Sequence, residues 1–98
     1  MKRLTAEEAE KKLKAVSGWS MDESGLKIEK KYRFSNFTDA VCFLNRVAEF
    51  AEELNHHPDL HLTDYKNLRV VLSTHSAGGL TQLDFKLAAQ IEEVKNEV

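Results

Sequence analysis

The stretch Leu54-Asn55-His56-His57-Pro58-Asp59-Leu60-His61-Leu62 is where the chain changes period. Ahead of it, from Phe37, the residues Ala40, Val41, Leu44, Val47, Ala48, Ala51 and Leu54 recur at three- and four-residue steps, the spacing of one helical face. Pro58 has no amide hydrogen and restricts the residue before it, so the helix must have ended by that point. Beyond it, Leu60 to Thr63 and Leu68 to Thr74 read as two strands joined by a turn around Asp64-Tyr65-Lys66-Asn67. The handover from helix to hairpin therefore carries three of the four histidines.

The same order appears earlier in the chain. Thr5 and Glu8 form a capping box that opens a helix with Ala9, Leu13 and Val16 on one face, and Gly18 is expected to end it. Trp19-Ser20-Met21, a turn at Asp22-Glu23-Ser24-Gly25 and the run Leu26 to Phe34 then read as a hairpin. In that run Leu26, Ile28, Tyr32 and Phe34 alternate with charged residues, and Lys30 interrupts the apolar face. Asn36 to Asp39 caps the second helix, where Phe43 and Phe50 widen the apolar stripe, so this helix is expected to be the most buried and to carry apolar surface beyond what one sheet face needs. Ser76-Ala77-Gly78-Gly79 breaks the last strand. Thr81 and Asp84 cap a third helix with Leu80, Leu83, Leu87, Ile91 and Val94 inward. The expectation is one α+β domain over residues 1–98, in the order α-β-β-α-β-β-α, with a four-stranded antiparallel sheet and three helices on one face.

Composition narrows the classes of function. Among 98 residues, 42% are apolar and 31% charged, the balance of an ordinary globular domain. A net charge of −2 gives no overall basic footprint for nucleic acid or an anionic membrane, although Lys27, Lys30, Lys31 and Arg33 cluster on what reads as the solvated face of a strand. Cys42, the single cysteine, excludes an intrachain disulfide and a tetrathiolate zinc site, and its apolar neighbours suggest a core position. The opening MKRLTAEEAEKK has no apolar run behind its basic residues, and no segment approaches the ~20 apolar residues of a membrane span. A cytoplasmic protein is expected.

The histidines are the candidates for chemistry. Free imidazole titrates at about 6.5, so a group of them can supply both an acid and a base at neutral pH. Placement at element ends suits presentation to a substrate, with Asn55 and Pro58 turning the backbone around His56 and His57. Each could equally be a polar surface residue or a charge at a helix C-terminus. A metal site fits poorly: Pro58 breaks the helix that would align His57 with His61, and on a strand the two lie about 13 Å apart at ~3.3 Å per residue.

Glu52, Asn55-His56-His57-Pro58, Tyr65, Leu72-Ser73-Thr74-His75-Ser76-Ala77-Gly78-Gly79-Leu80-Thr81 and Asp84 together resemble the signature of the pterin-4a-carbinolamine dehydratases. The likeness extends to Leu4-Thr5-Ala6-Glu7-Glu8, Gly18-Trp19, Phe34 to Phe37 and Arg46-Val47-Ala48, nearly the whole chain. It implies an enzyme that removes water from a 4a-hydroxytetrahydropterin, the product left by aromatic amino acid hydroxylases, and returns the quinonoid dihydropterin. Carried over by position, His56, His57 and His75 are the acid–base set, with His57 and His75 as alternate acids and His56 as base or orienting group. Asn55, Ser73, Thr74 and Ser76 would line the pterin. Glu52, one helical turn before His56, would hold its ring, and Asp84 would support the site or simply cap its helix. No cofactor is implied.

The chain departs from the vertebrate pattern of that family at Asn55, where an aspartate stands, at Leu60, where a tryptophan stands, and in a turn near Tyr65 that is one residue longer. These changes concern how the ring is held and leave the three histidines intact. Relatives of the fold also act as a dimerisation partner of a homeodomain transcription factor and as accessory proteins of carboxysomal carbon fixation, so a non-catalytic module is the rival reading. The resemblance implies a homodimer or homotetramer, as do the open sheet edges of a thin domain.

Overall fold

The computed structural model describes residues 2–97, so Met1 and Val98 lie outside the described residues. The elements are α1 (Ala6–Leu13), β1 (Ser20–Met21), β2 (Ile28–Arg33), α2 (Phe37–Leu54), β3 (Asp59–Thr63), β4 (Asn67–Leu72), a 3-10 turn at His75–Ala77, and α3 (Gln82–Glu97). The strands form one antiparallel sheet in the order β1-β2-β4-β3, with the three helices packed on one face. Both hairpins expected from the sequence are present, and β2 and β4 pair in the centre.

Three local signals act as read. Thr5 Oγ1 accepts from the Glu8 amide at 3.1 Å while the Thr5 amide donates to Glu8 Oε1 at 2.9 Å. Asn36 Oδ1 accepts from the Asp39 amide at 2.8 Å, and the Thr81 amide donates to Asp84 Oδ2 at 2.9 Å. Each satisfies an amide that the first helical turn leaves without a partner.

The core lies between the sheet face that carries Ile28, Tyr32, Leu68, Val70 and Leu72 and the inner faces of α2 and α3. Several expectations change here. The first helix stops at Leu13, well before Gly18, and the chain reaches that glycine through turns in which the amides of Ala15 and Val16 bond to Lys12 and Leu13. Leu26 precedes β2 and is exposed, because the Asp22 side chain gathers Ser24 and the Lys27 amide into the turn. The strand expected to run to Thr74 ends at Leu72. Phe43 is fully buried between Tyr32 and Phe34, with ring centroids 4.9 and 5.2 Å away, so it is core and not surplus. The exposed large apolar residue of α2 is Phe37, and Cys42 and Ala48 are exposed as well, Cys42 because it falls on the outer face one position before Phe43. The most buried helix is α3, which encloses Phe85, Leu87, Ala88, Ile91 and Val94, whereas Leu83 is half-buried.

Lys30, the interruption in the β2 pattern, faces the helices. Its ammonium donates to the Ser17 carbonyl at 2.9 Å and to Glu92 of α3 at 2.5 Å, and the Tyr32 hydroxyl donates to the same carboxylate. Burial works to raise the Glu92 carboxyl, but the hydrogen bonds from Lys30 and Tyr32 and the Lys30 charge outweigh it and hold the group below its ordinary 4.5. Burial, reinforced by the Glu92 hydrogen bond and charge, pushes the Tyr32 phenol up.

Candidate active site

The site begins where α2 ends. Asn55 takes the left-handed conformation (φ 50°, ψ 44°), which asparagine tolerates better than most residues, and its amide bonds back to Ala51 and Glu52. The His56 amide closes the same terminus on the Ala51 carbonyl at 3.0 Å. This reversal sends His56 inward, where it is 7% exposed, and leaves His57 on the surface.

His56 Nε2 lies 2.6 Å from Asp84 Oδ1. Asp84 is fully buried, and its other oxygen accepts from the Thr74 hydroxyl at 2.8 Å as well as from the Thr81 amide. A hydroxyl has one hydrogen to give. Thr74 spends its own on Asp84, so in the 2.8 Å contact between Thr74 and Thr81 the Thr81 hydroxyl is the donor. Thr81 Oγ1 in turn accepts from the Leu83 amide at 3.2 Å. With Asp84 as the acceptor at the end of this chain, Nε2 of His56 is the donor in that contact, and Nδ1 has no hydrogen-bond partner among the described residues.

Glu52 holds His57 and not His56, as had been expected: Glu52 Oε2 lies 2.5 Å from His57 Nε2. The helix ends two residues after Glu52, and the turn at Asn55 swings His57 back towards it. His75 is exposed on the 3-10 turn, and its ring has no hydrogen-bond partner among the described residues. Because consecutive Cα atoms are about 3.8 Å apart, His57 flanks His56 and His75 flanks Thr74, while His56 and Thr74 share Asp84. One buried carboxylate thus ties the two segments that carry the histidines. His61 is not among them, since it points from β3 to the sheet face away from the helices.

The four residues expected to line the ligand divide into two pairs. Asn55 and Ser76 are exposed, whereas Ser73 donates to the Leu26 carbonyl at 2.9 Å and Thr74 is committed to the buried network. Gly78, at φ +70°, closes the histidine turn. The N-terminal segment straps that turn: Arg3 Nη1 donates to the Gly78 carbonyl at 3.2 Å and the Leu4 amide to the Leu80 carbonyl at 2.8 Å. Arg3 covers Gly79 so closely that a Cβ there would meet its Cδ at 2.6 Å. Nothing in the sequence pattern marks Arg3 for this role. Among the described residues no group of three or more His, Cys, Asp or Glu side chains is arranged to hold a metal ion.

The structure is a small α+β domain, a helix-covered antiparallel sheet in which a helix end carrying His56 and His57 and a post-strand turn carrying His75 are tied together through one buried aspartate. The family model described as "Pterin 4 alpha carbinolamine dehydratase" matches residues 2–94, and the chain belongs to that family. It is 44% identical over 93 residues to a Gloeobacter violaceus protein named "Putative pterin-4-alpha-carbinolamine dehydratase 2", a match spanning 93% of this chain and 100% of that one. The crystal structure of a transcriptional coactivator/pterin dehydratase from Brucella melitensis is similar, with a TM-score of 0.89 and 35% identity over 94% of this chain and 97% of that one. A pterin dehydratase-like protein identified as a RuBisCO assembly factor in the alpha-carboxysome shares the fold, with a TM-score of 0.67 and 18% identity over 79% of this chain and 88% of that one.

Proposed function

We propose that the chain dehydrates a 4a-hydroxytetrahydropterin to the quinonoid dihydropterin and water, in the recycling of tetrahydrobiopterin. The observation that supports this reading is the convergence of His56 and Thr74, the sequence neighbours of His57 and His75, on the buried Asp84 in a chain of the dehydratase family.

In this reaction the C4a–oxygen bond breaks and the hydroxyl leaves as water after taking a proton from an acid. The hydrogen on the ring nitrogen passes to a base, and its electron pair completes the C=N bond. His57 and His75, both exposed, are the alternate acids for the two faces of the carbinolamine carbon. His56, held by Asp84, presents Nδ1 as the base or orients the ring. Glu52 positions His57, Asn55 and Ser76 touch the pterin, and Ser73 and Thr74 build the wall behind it. The protein's own groups thus supply both proton transfers.

The same reading makes the protein a cytoplasmic homodimer or homotetramer. Its support is the exposed free thiol of Cys42, the open edges of β1 and β3, and the exposed Phe37 on α2. No helix among the described residues is long and apolar enough to cross a membrane.

The deciding experiment is a carbinolamine dehydration assay on the purified protein beside His57→Ala and His75→Ala. Each substitution is expected to slow the reaction by ~10²–10⁴-fold. A wild-type rate no faster than the uncatalysed one would reject the proposal.

A further inference from the structure

The basic cluster noted in the sequence is divided by β2. Lys30 turns to the helices and Glu92, whereas Lys31 and Arg33 point to the open face of the sheet. There the register sets His61 of β3 opposite Arg69 of β4 and Arg69 opposite Lys31 of β2, and the next row is Thr63, Asn67 and Arg33. Directly opposed residues share a face, and like charges so placed destabilise a sheet. A chain with 16 acidic residues has ample means to neutralise that row. The relief it shows is one contact, Arg69 to Glu29 at 3.2 Å, while Lys31 and Arg33 make no side-chain hydrogen bond or ion pair among the described residues. The other carboxylate on this face, Asp59, stands in the row of Glu29 and Val71, one pair beyond His61.

These side chains line a concavity of about 500 Å³, within the usual range for small-molecule sites. Its lining includes Lys31, Arg33, His61, Thr63, Asn67 and Arg69, and none of the three histidines of the candidate active site. Two guanidiniums and an ammonium suit a multiply charged anion, and guanidinium geometry matches phosphate oxygens in pairs. The Thr63 hydroxyl and the Asn67 amide add neutral donors at the same wall.

We infer that this open sheet face is a second site, which binds a small phosphate-bearing molecule. Inorganic pyrophosphate is the probe. In NMR titrations of the full chain at low ionic strength, it should shift the amides of Lys31, Arg33, Asn67 and Arg69 saturably, leave those of His57 and His75 in place, and lose effect as salt is added. A Lys31→Ala/Arg33→Ala variant, altered at exposed positions, should have an unfolding midpoint no lower than wild type, keep its dehydration rate and bind pyrophosphate at least ~10-fold more weakly. Three results would overturn the inference: no saturable shift, equal binding by the variant, or shifts centred on His75. A short single-stranded oligonucleotide that saturates the same amides at concentrations where pyrophosphate does not would also overturn it, by assigning the face to a macromolecule.

Discussion

His56 and Asp84, 28 positions apart, meet through a 2.6 Å contact in the protein interior, and the same carboxylate accepts the helix-capping amide of Thr81. Folding and positioning of the histidine therefore share one side chain. Asp84→Ala strands His56, the Thr74 hydroxyl and the Thr81 amide together, and should destabilise the protein by about 3 kcal/mol, read as a lower unfolding midpoint. Asp84→Asn preserves shape and should cost less stability while still slowing dehydration. A rate within two-fold of wild type in a folded Asp84→Asn protein would show that His56 needs no carboxylate.

Glu52 gives the contrasting case. Its side chain is 74% exposed and that of His57 is 61% exposed, so their contact is a surface pair that contributes little to stability. Glu52→Gln should leave the unfolding midpoint in place and lower the dehydration rate through His57. In a His57→Ala background the same change should add nothing, which a double-mutant cycle on rates would check.

If His57 and His75 serve opposite faces of one carbon, each single variant keeps one route and the double variant should be nearly inactive. His61→Ala, on the other sheet face, should be close to neutral in the same assay. Full activity in the double variant would refute the assignment.

Activity should survive exhaustive chelation. The two histidines nearest each other are already engaged by carboxylates, His56 by Asp84 and His57 by Glu52. Loss of rate in EDTA with recovery on adding zinc would contradict this.

The Glu92 carboxyl sits below its ordinary 4.5 in the folded chain, so its contribution to stability is complete above that value and is lost as pH falls through the folded one. Urea unfolding at neutral pH and at pH ~3 should show a smaller acid-induced loss for Glu92→Gln than for wild type. Equal losses would mean that Lys30 and Tyr32 do not favour the ionised form.

The caps at Thr5, Asn36 and Thr81 were legible because each partner lies three residues on, within the reach of a pattern. The strands and the order of elements followed from period and from Pro58 for the same reason. What escaped was long-range. The spacing of Glu52 to His56 suggested a helical pair, but Asn55 reverses the chain between them and gives Glu52 to His57. Lys30 read as a flaw in a strand until Glu92 arrived from 62 positions away. Phe43 and Cys42 are adjacent on one helix, and only the packing of Phe34 and Tyr32 decides which of them is interior.

The strap formed by Arg3 and Leu4 bears on how the protein is handled at the bench. Any purification tag or fusion partner joined ahead of Lys2 leaves the domain beside the turn that carries His75. The 16 residues of α3 run about 24 Å away from that turn. Extensions therefore belong after α3, and a sluggish preparation tagged at the front reports on the tag before it reports on the histidines.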